Sequence, residues 1–154
     1  ALRDEFRIPP DDERLQVVLA DGADWVRDSL RGADVLMVDG YDETGQAPSL
    51  CSQAFYDDCY VALAWDGLLV VNLHHDHPEH ETYMVRMRRS FGANLMAFAS
   101  REKSNTIVFA RKGPRLSAQA VRDDDCLETF SPEAQSQLRP EFSRIGWLAT
   151  DPPG

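Results

Sequence analysis

The sequence predicts an α/β fold in which short apolar strands alternate with amphipathic helices. Three apolar runs, at residues 15–21, 34–40 and 66–73, have the length and composition of buried strands. The stretches between them carry helical periodicity and residues that begin or end helices. Because strands separated by helices pair in parallel through right-handed crossovers, we expect a mostly parallel sheet.

Composition favours one compact domain over residues 1–154. The chain has 43% hydrophobic and 27% charged residues, which is usual for globular proteins, and no apolar run approaches the ~20 residues that span a membrane. Its net charge of −10 argues against nucleic acid as a partner. Three cysteines without a C-x-x-C pair, and a start without an apolar signal centre, predict a cytoplasmic protein with reduced thiols.

The first half of the chain supplies two strands and two helices. After the strand at 15–21, Asp21 can cap a helix that ends at Gly32 and turns Trp25, Val26, Ser29 and Leu30 inward. The strand at 34–40 leads into a polar loop. A helix from about Ser52 to Ala64 follows, and its apolar stripe contains Phe55, Cys59, Ala62 and Leu63.

The second half adds one more strand, a helix and a hairpin. After the strand at 66–73, residues 77–92 form a helix with Pro78 in its first turn and Gly92 at its end. Residues 94–113 are predicted to be two antiparallel strands joined by a polar turn. A short helix at 131–138 and a loose tail complete the chain.

Ligands of a parallel sheet bind at the carboxyl ends of its strands. That rule selects three places in this sequence, namely Asp21-Gly22, Asp39 to Gly45, and Asn72 to His77.

The four histidines, at positions 74, 75, 77 and 80, raise the question of a metal site. The stretch "NLHHDH" is similar to the H-x-H-x-D-H zinc motif of the metallo-β-lactamase fold, with Asn72 in place of the first histidine. A zinc site of that kind needs ligands from distant loops, and the chain has no other histidine. We therefore expect no metal site. The favoured interpretation of residues 74–80 is a solvated loop in which Asp76 or His77 caps the next helix.

Asp39 and Asp42 are the strongest candidates for chemistry. Two carboxylates at a sheet's ligand edge can hold an ammonium group, and one of them can accept a proton from the amine. The alternative is that Asp39 ends a strand and Asp42 belongs to a turn, where aspartate is common.

Residues 15–73 resemble the second half of the spermidine synthases, the polyamine aminopropyltransferases. That family has a D-G pair after one strand, D-S-S-D-P-x-G-P-A after the next, a helix with F-Y, and a G-x-L strand. The corresponding stretches here are "LADG" at 19–22, "VDGYDETGQAPSL" at 38–50, "AFYDDCYVAL" at 54–63 and "DGLLVV" at 66–71. The hairpin "FASREKSNTIVFARKG" also resembles the family's last strands.

The resemblance implies an activity and roles for individual residues. The reaction would move an aminopropyl group from decarboxylated S-adenosylmethionine, a co-substrate and not a tightly bound cofactor, to a polyamine or diamine. Asp39 would be the catalytic base, while Asp42 and the neighbouring Tyr41 would border the amine. Residues that would contact the nucleoside are Asp21, Gly22, Gln46 and Ala47.

The resemblance also implies a Rossmann-like sheet of the class I S-adenosylmethionine methyltransferase type, with a C-terminal antiparallel hairpin and without its N-terminal half. None of the nine glycines forms the family's G-x-G-x-x loop, and the motif here has Gly40-Tyr41 in place of two serines. The chain is thus expected to be an incomplete and inactive portion of a homodimeric enzyme. Either the strand at 15–20 pairs directly with 35–39, or two chains cover each other's sheet edges.

Two rival functions follow from the same residues. A class I S-adenosylmethionine-dependent methyltransferase would use the same sheet and a related cofactor. A non-catalytic or metal-binding module would use the loop from His74 to His80.

Overall fold

The structure is a computed structural model. It describes residues 3–28, 32–42, 45–100, 104–115 and 127–148, with side chains as far as residue 143. In chain order, the elements are α1 (Gly22–Asp28), β1 (Ala33–Val38), β2 (Tyr41–Asp42), β3 (Gly45–Gln46), a 3-10 helix (Pro48–Cys51), α2 (Gln53–Ala62), β4 (Leu63–His74), α3 (His80–Phe91), β5 (Leu95–Ala99), β6 (Asn105–Arg111) and α4 (Pro132–Leu148).

Four strands form one mixed sheet in the order β1-β4-β6-β5. β1 pairs with β4 in parallel, whereas β4 with β6 and β6 with β5 are antiparallel. The α/β class and the antiparallel hairpin are therefore confirmed. The described sheet has a smaller parallel part than expected, because β6 lies directly against β4.

The prediction of a strand at residues 15–21 is wrong. This segment is irregular and solvent-exposed, and Leu19 has no burial at all. Its local bonds go to the aspartates that precede it, since Asp12 accepts from the Leu15 N–H and Asp11 accepts from the Val17 N–H. An apolar β-branched run becomes a strand only where another strand offers backbone partners.

The outer edge of β1 carries no second strand in the described part of the chain. The prediction that residues 15–20 pair directly with residues 35–39 is therefore also wrong. The alternative, in which two chains cover each other's edges, stays a prediction.

The predicted helices are present with shifted ends. α2 begins after Ser52, whose hydroxyl accepts the Phe55 N–H at 3.1 Å. The predicted stripe of α2 is buried, and its last member, Leu63, opens β4. α1 ends at Asp28 with Val26 buried and Trp25 exposed, while Ser29 and Leu30 lie outside the described residues.

The C-terminal helix is longer than predicted. α4 runs from Pro132 to Leu148 and contains Pro140, beyond which a helix was not expected. Glu43, Cys126 and the predicted tail lie outside the described residues. No described helix is both long and apolar enough to cross a bilayer.

The core lies between one face of the sheet and helices α2 and α3. Alternate β4 residues point into it, and Leu69, Val71 and Leu73 are fully buried. Across from them, the α2 and α3 side chains that fill the core include Phe55, Tyr56, Cys59, Tyr83, Met84, Met87 and Phe91. This packing fixes the strand ends that carry the candidate site.

Replacing Met87 by alanine tests this core. Met87 is fully buried, so Met87→Ala should lower the free energy of unfolding by about 2–5 kcal/mol. Val85, which is 44% exposed on the same helix, is the matched control, and Val85→Ala should cost less than about 1 kcal/mol. Urea titration measures both values, and equal losses would contradict the assigned inner face of α3.

The buried thiol of Cys59 predicts a loss of stability in alkali. Burial, helped by the charge of Asp58, raises the pKa of Cys59 to about 12 from an ordinary value of 9.0. Between these values the unfolded chain releases a proton that the folded chain keeps. The thiol should therefore make its full contribution to the free energy of unfolding below about pH 9. That free energy should fall as pH rises towards 12.

The variant Cys59→Ala should reduce this slope by up to about 1.4 kcal/mol per pH unit, while Val61→Ala on the same helix should leave it unchanged. Urea titrations at a series of pH values give the slopes. Identical slopes for the original chain and Cys59→Ala would show that the thiol titrates normally.

Candidate functional site

Asp39 and Asn72 lie side by side at the carboxyl ends of β1 and β4. The parallel register places Val38 opposite Val71, so the next residue of each strand meets its counterpart. The Asn72 Nδ2 donates a hydrogen bond to Oδ1 of Asp39 at 3.0 Å. One carboxylate oxygen is held in place, and the carboxylate itself stays exposed to solvent.

The strand-end rule selected the stretch that begins at Asn72, but the sequence interpretation did not name Asn72 as a site residue. Its side-chain oxygen Oδ1 is buried and has no hydrogen-bond partner in the described structure. A polar residue that interrupts an apolar strand at the sheet's ligand edge is the signal that identifies it. The pair therefore combines an exposed carboxylate, on Asp39, with a buried amide oxygen, on Asn72.

Tyr41 closes one side of this pair. Its hydroxyl donates to the main-chain oxygen of Asn72 at 2.8 Å, and its ring meets the His74 ring edge-on with centroids 4.9 Å apart. Burial, followed by the negative charge of Asp39, raises the pKa of Tyr41. The phenol therefore stays protonated and fixes β2 against β4, and its hydroxyl already has a partner inside the protein.

An apolar cavity of about 250 Å³ lies beside Asp39. Its walls include Gly22, Trp25, Met37, Asp39 and Leu50. Leu50 packs against both glycines of this region, because a Cβ on Gly40 would lie 2.3 Å from Leu50 Cδ1 and one on Gly22 would lie 3.2 Å from Cδ2. A serine at position 40, as in the resembled motif, would require the Leu50 side chain to shift.

Asp21 is used as a helix cap. Its Oδ1 accepts the N–H groups of Ala23 at 2.9 Å and Asp24 at 3.1 Å. Gly22 borders the apolar cavity, whereas Asp21 is not one of its lining residues. The predicted nucleoside contact of Asp21 stays a prediction.

Asp42 and Asp39 do not border the same cavity. Asp42 is exposed on β2, opposite Gly45 of β3, and is not among the residues that line the apolar cavity. The charge of Asp42 acts on Cys51. Burial is the main cause of the raised pKa of Cys51, and the negative charge of Asp42 adds to it.

Gln46 and Ala47 occupy different environments from each other. Ala47 closes the loop through a 3.3 Å bond from its N–H to the oxygen of Gly40. Gln46 is only 5% exposed and lines a second cavity, which shares no lining residue with the apolar one. The structure therefore does not place Gln46 beside Gly22 and Asp39.

The histidine loop is occupied by local contacts. The His80 Nδ1 bonds the oxygen of His74 at 3.2 Å, and Nδ1 of His77 accepts the N–H of Glu79 at 3.2 Å, close to the capping role expected of it. Among the described residues, no three histidine, cysteine or acidic side chains converge in a way that could hold a metal ion.

Comparison with known proteins adds relatives in sequence and in structure. A polyamine aminopropyltransferase of Neisseria meningitidis is 27% identical over 108 residues, which are 70% of this chain and 41% of that protein. A spermidine synthase crystallised with the transition-state analogue AdoDATO is 27% identical, with a TM-score of 0.54 over 73% of this chain and 43% of that one. Human methyltransferase-like protein 13, solved with SAH, has a TM-score of 0.63 at 16% identity over 99% of this chain and 67% of that one, which shows a shared fold.

The chain spans about two fifths of the length of the curated relatives it matches. The model of the spermine/spermidine synthase domain matches residues 4–108, which include both strands that carry the Asp39–Asn72 pair. The chain therefore belongs to the spermine/spermidine synthase domain family.

Proposed function

We propose that this chain supplies the amine-binding edge of an aminopropyltransferase, which transfers an aminopropyl group from decarboxylated S-adenosylmethionine to a diamine or polyamine. The observation that carries the proposal is the pairing of Asp39 with Asn72. Membership of the family and the relatives named as polyamine aminopropyltransferases support it.

Asp39 and Asn72 have the chemistry to bind and activate an amine. An ammonium group that approaches the strand ends can donate to the exposed Asp39 carboxylate, one oxygen of which is already held by the Asn72 amide. An amine attacks carbon only after it loses a proton, and Asp39 is placed to accept that proton. The Asn72 amide holds the carboxylate in one orientation while this occurs.

The reaction itself is a displacement at carbon. The amine nitrogen forms a bond to the first carbon of the aminopropyl group as that carbon's bond to sulfur breaks. The sulfonium becomes a neutral thioether, methylthioadenosine, and the amine's proton leaves through Asp39. The displacement involves no electron transfer, so positioning and electrostatics supply the rate enhancement.

The apolar cavity is the proposed place for part of the nucleoside. Gly22, Trp25 and Leu50 offer a flat apolar wall next to Asp39. Its volume of about 250 Å³ is below the roughly 300–1,000 Å³ of typical small-molecule sites. We therefore expect residues 1–154 alone to be inactive and to bind the nucleoside weakly, with Asp21 and Ala47 as further proposed contacts. Gln46 lines a different cavity and is left out of this proposed site.

The acidic surface suits a cationic acceptor. The net charge of −10 raises the local concentration of polyamines, and Asp42 is the proposed second contact for a distal ammonium group. The rival function, methyl transfer from ordinary S-adenosylmethionine, is favoured only by the shared fold with the human methyltransferase-like protein.

The decisive experiment measures transfer to putrescine and spermidine from decarboxylated and from ordinary S-adenosylmethionine. It uses residues 1–154 and, in parallel, the longest polypeptide that the gene encodes. Aminopropyl transfer by the longer polypeptide supports the proposal, whereas methyl transfer from the ordinary nucleoside would replace it with the rival function.

Substitutions in the longer polypeptide separate the two carboxylates. Asp39→Asn removes the base and should lower kcat about a hundredfold or more. Asp42→Asn should chiefly raise KM for the amine, because it removes a binding charge and no reacting group. Asp76→Asn in the exposed histidine loop is the control and should change neither value. An Asp39→Asn enzyme with full kcat would remove the basis of the mechanism.

We also propose a cytoplasmic homodimer whose contact includes the outer edge of β1. Val35 is 53% exposed and Met37 is 80% exposed on this edge strand, which has no outer partner among the described residues, an arrangement that promotes pairing with another chain. Sedimentation should show a dimer that Met37→Lys dissociates, while Val85→Lys on α3 leaves it intact. A monomeric original chain at micromolar concentration would exclude this contact.

A further inference from the structure

The second cavity, of about 410 Å³, lies between the 3-10 helix and α3. The reaction proposed above does not use it. Its lining is unusual because it brings a guanidinium, a carboxylate and two side-chain amides together. Those groups belong to Arg86, Glu79, Gln46 and Gln53.

Gln46 is the main reason to consider this cavity a binding site. The residue is only 5% exposed. Neither its amide nitrogen nor its amide oxygen has a hydrogen-bond partner in the described structure. Its backbone is fixed in the β2-β3 hairpin opposite Tyr41. Buried polar atoms are nearly always satisfied, so two atoms of Gln46 without a partner among the described residues mark this side chain as a candidate ligand contact.

Gln53 adds an amide oxygen, Oε1, whose orientation is fixed by the bonds of the amide nitrogen. Its Nε2 donates to Oδ1 of Asp57 at 3.0 Å, to the main-chain oxygen of Arg86 at 3.3 Å and to Oγ of Ser90 at 3.0 Å. The first two are pure acceptors, so the amide cannot be reversed. Gln53 lines the same cavity, and its oxygen Oε1 is buried and has no partner among the described residues.

Arg86 supplies a positive charge. One of its N–H groups donates to the main-chain oxygen of Cys51 at 2.8 Å, and the guanidinium lies 6.0 Å from the centre of the Tyr83 ring. Within the described part of the chain, no carboxylate lies within ion-pair distance of it. A guanidinium with free donors is suited to a carboxylate, which it can bind through two parallel hydrogen bonds.

Glu79 supplies the opposite charge at the mouth of the cavity. It is exposed, and its Oε2 accepts the hydroxyl of Tyr83 at 3.1 Å, which leaves its other oxygen unused by that bond. A simple anion would meet Glu79 and a polyamine would meet Arg86. A ligand that carries both charges satisfies both residues.

We propose that this cavity binds a free amino acid in its zwitterionic form. The carboxylate pairs with Arg86 and the Nε2 of Gln46, and the ammonium group donates to Glu79 and the Oε1 of Gln53. The ligand's side chain fills the remaining volume. This site is separate from the proposed transferase chemistry and does not depend on it.

The test is a titration of residues 1–154 with each of the twenty common amino acids, followed through the side-chain amide signals of Gln46 and Gln53 in nitrogen–proton correlation spectra. At least one amino acid should shift both signals saturably. Its carboxamide and its N-acetyl derivative should each bind about tenfold more weakly or worse, because each lacks one of the two charges.

Gln46→Leu separates a binding role from a structural one. Leucine nearly matches glutamine in volume and removes both unsatisfied atoms, so this variant should keep or raise the Tm of the ligand-free protein while it abolishes binding. Gln137→Leu on exposed α4 is the matched control and should bind normally.

Three results would overturn the proposal. The first is a cavity filled by water only, in which no amino acid shifts the Gln46 signal. The second is equal binding of the carboxamide, which would leave Arg86 without the proposed role. The third is a lower Tm for ligand-free Gln46→Leu, which would show that the glutamine stabilises the fold by itself.

Discussion

The parallel pairing of β1 with β4 is the constraint on which the site depends. Both strands leave the sheet at the same edge, and their register brings residue 39 opposite residue 72. A shift of one residue would turn the core side chains Leu69, Val71 and Leu73 to the other face. The burial that stabilises β4 therefore also holds the Asp39 carboxylate within hydrogen-bond distance of Asn72.

The hairpin and 3-10 helix that follow β1 divide the ligand edge into two unlike spaces. On one side, Leu50 packs between Gly22 and Gly40 and leaves an apolar hollow. On the other, Gln46 enters a polar cavity bordered by α3. Gly45, with φ of +132°, makes the turn possible, and the His77 ring lies where a side chain would be, 3.1 Å from an ideal Cβ. One short segment thus sets the chemistry of both spaces.

Periodicity and capping in the sequence were sufficient for the helices and for most of the sheet. Ser52 predicted the start of α2, and the stripe through Phe55 and Cys59 is buried as expected. Residues 15–21 failed because apolar composition describes what a strand could bury, whereas strand formation also requires a neighbour. That neighbour is a tertiary property, and no local pattern contains it.

The candidate site was predictable only in part, for a related reason. Asp39 was found because strand-end carboxylates are a general signal, and the hydrogen bond from Asn72 agrees with its position at the ligand edge. Asn72 itself was treated as a missing histidine of a metal motif, since its importance depends on the register with β1. Gln46 was grouped with Ala47 because the family resemblance implied that both contact the nucleoside, but a hairpin residue and the residue after it can face opposite sides of the chain.

The substitutions in the acidic motif shape the space beside Asp39. Gly40 admits Leu50, and Tyr41 places a ring beside the strand ends with its hydroxyl already donated to the Asn72 carbonyl. A small pair of serines would leave that rim open and polar. The cavity beside Asp39 is apolar, whereas the carboxylate itself is exposed. For the proposed transferase, this arrangement favours an amine that approaches along the exposed side of Asp39 and lays its methylene chain against Tyr41, over an amine that depends on hydrogen bonds to that wall.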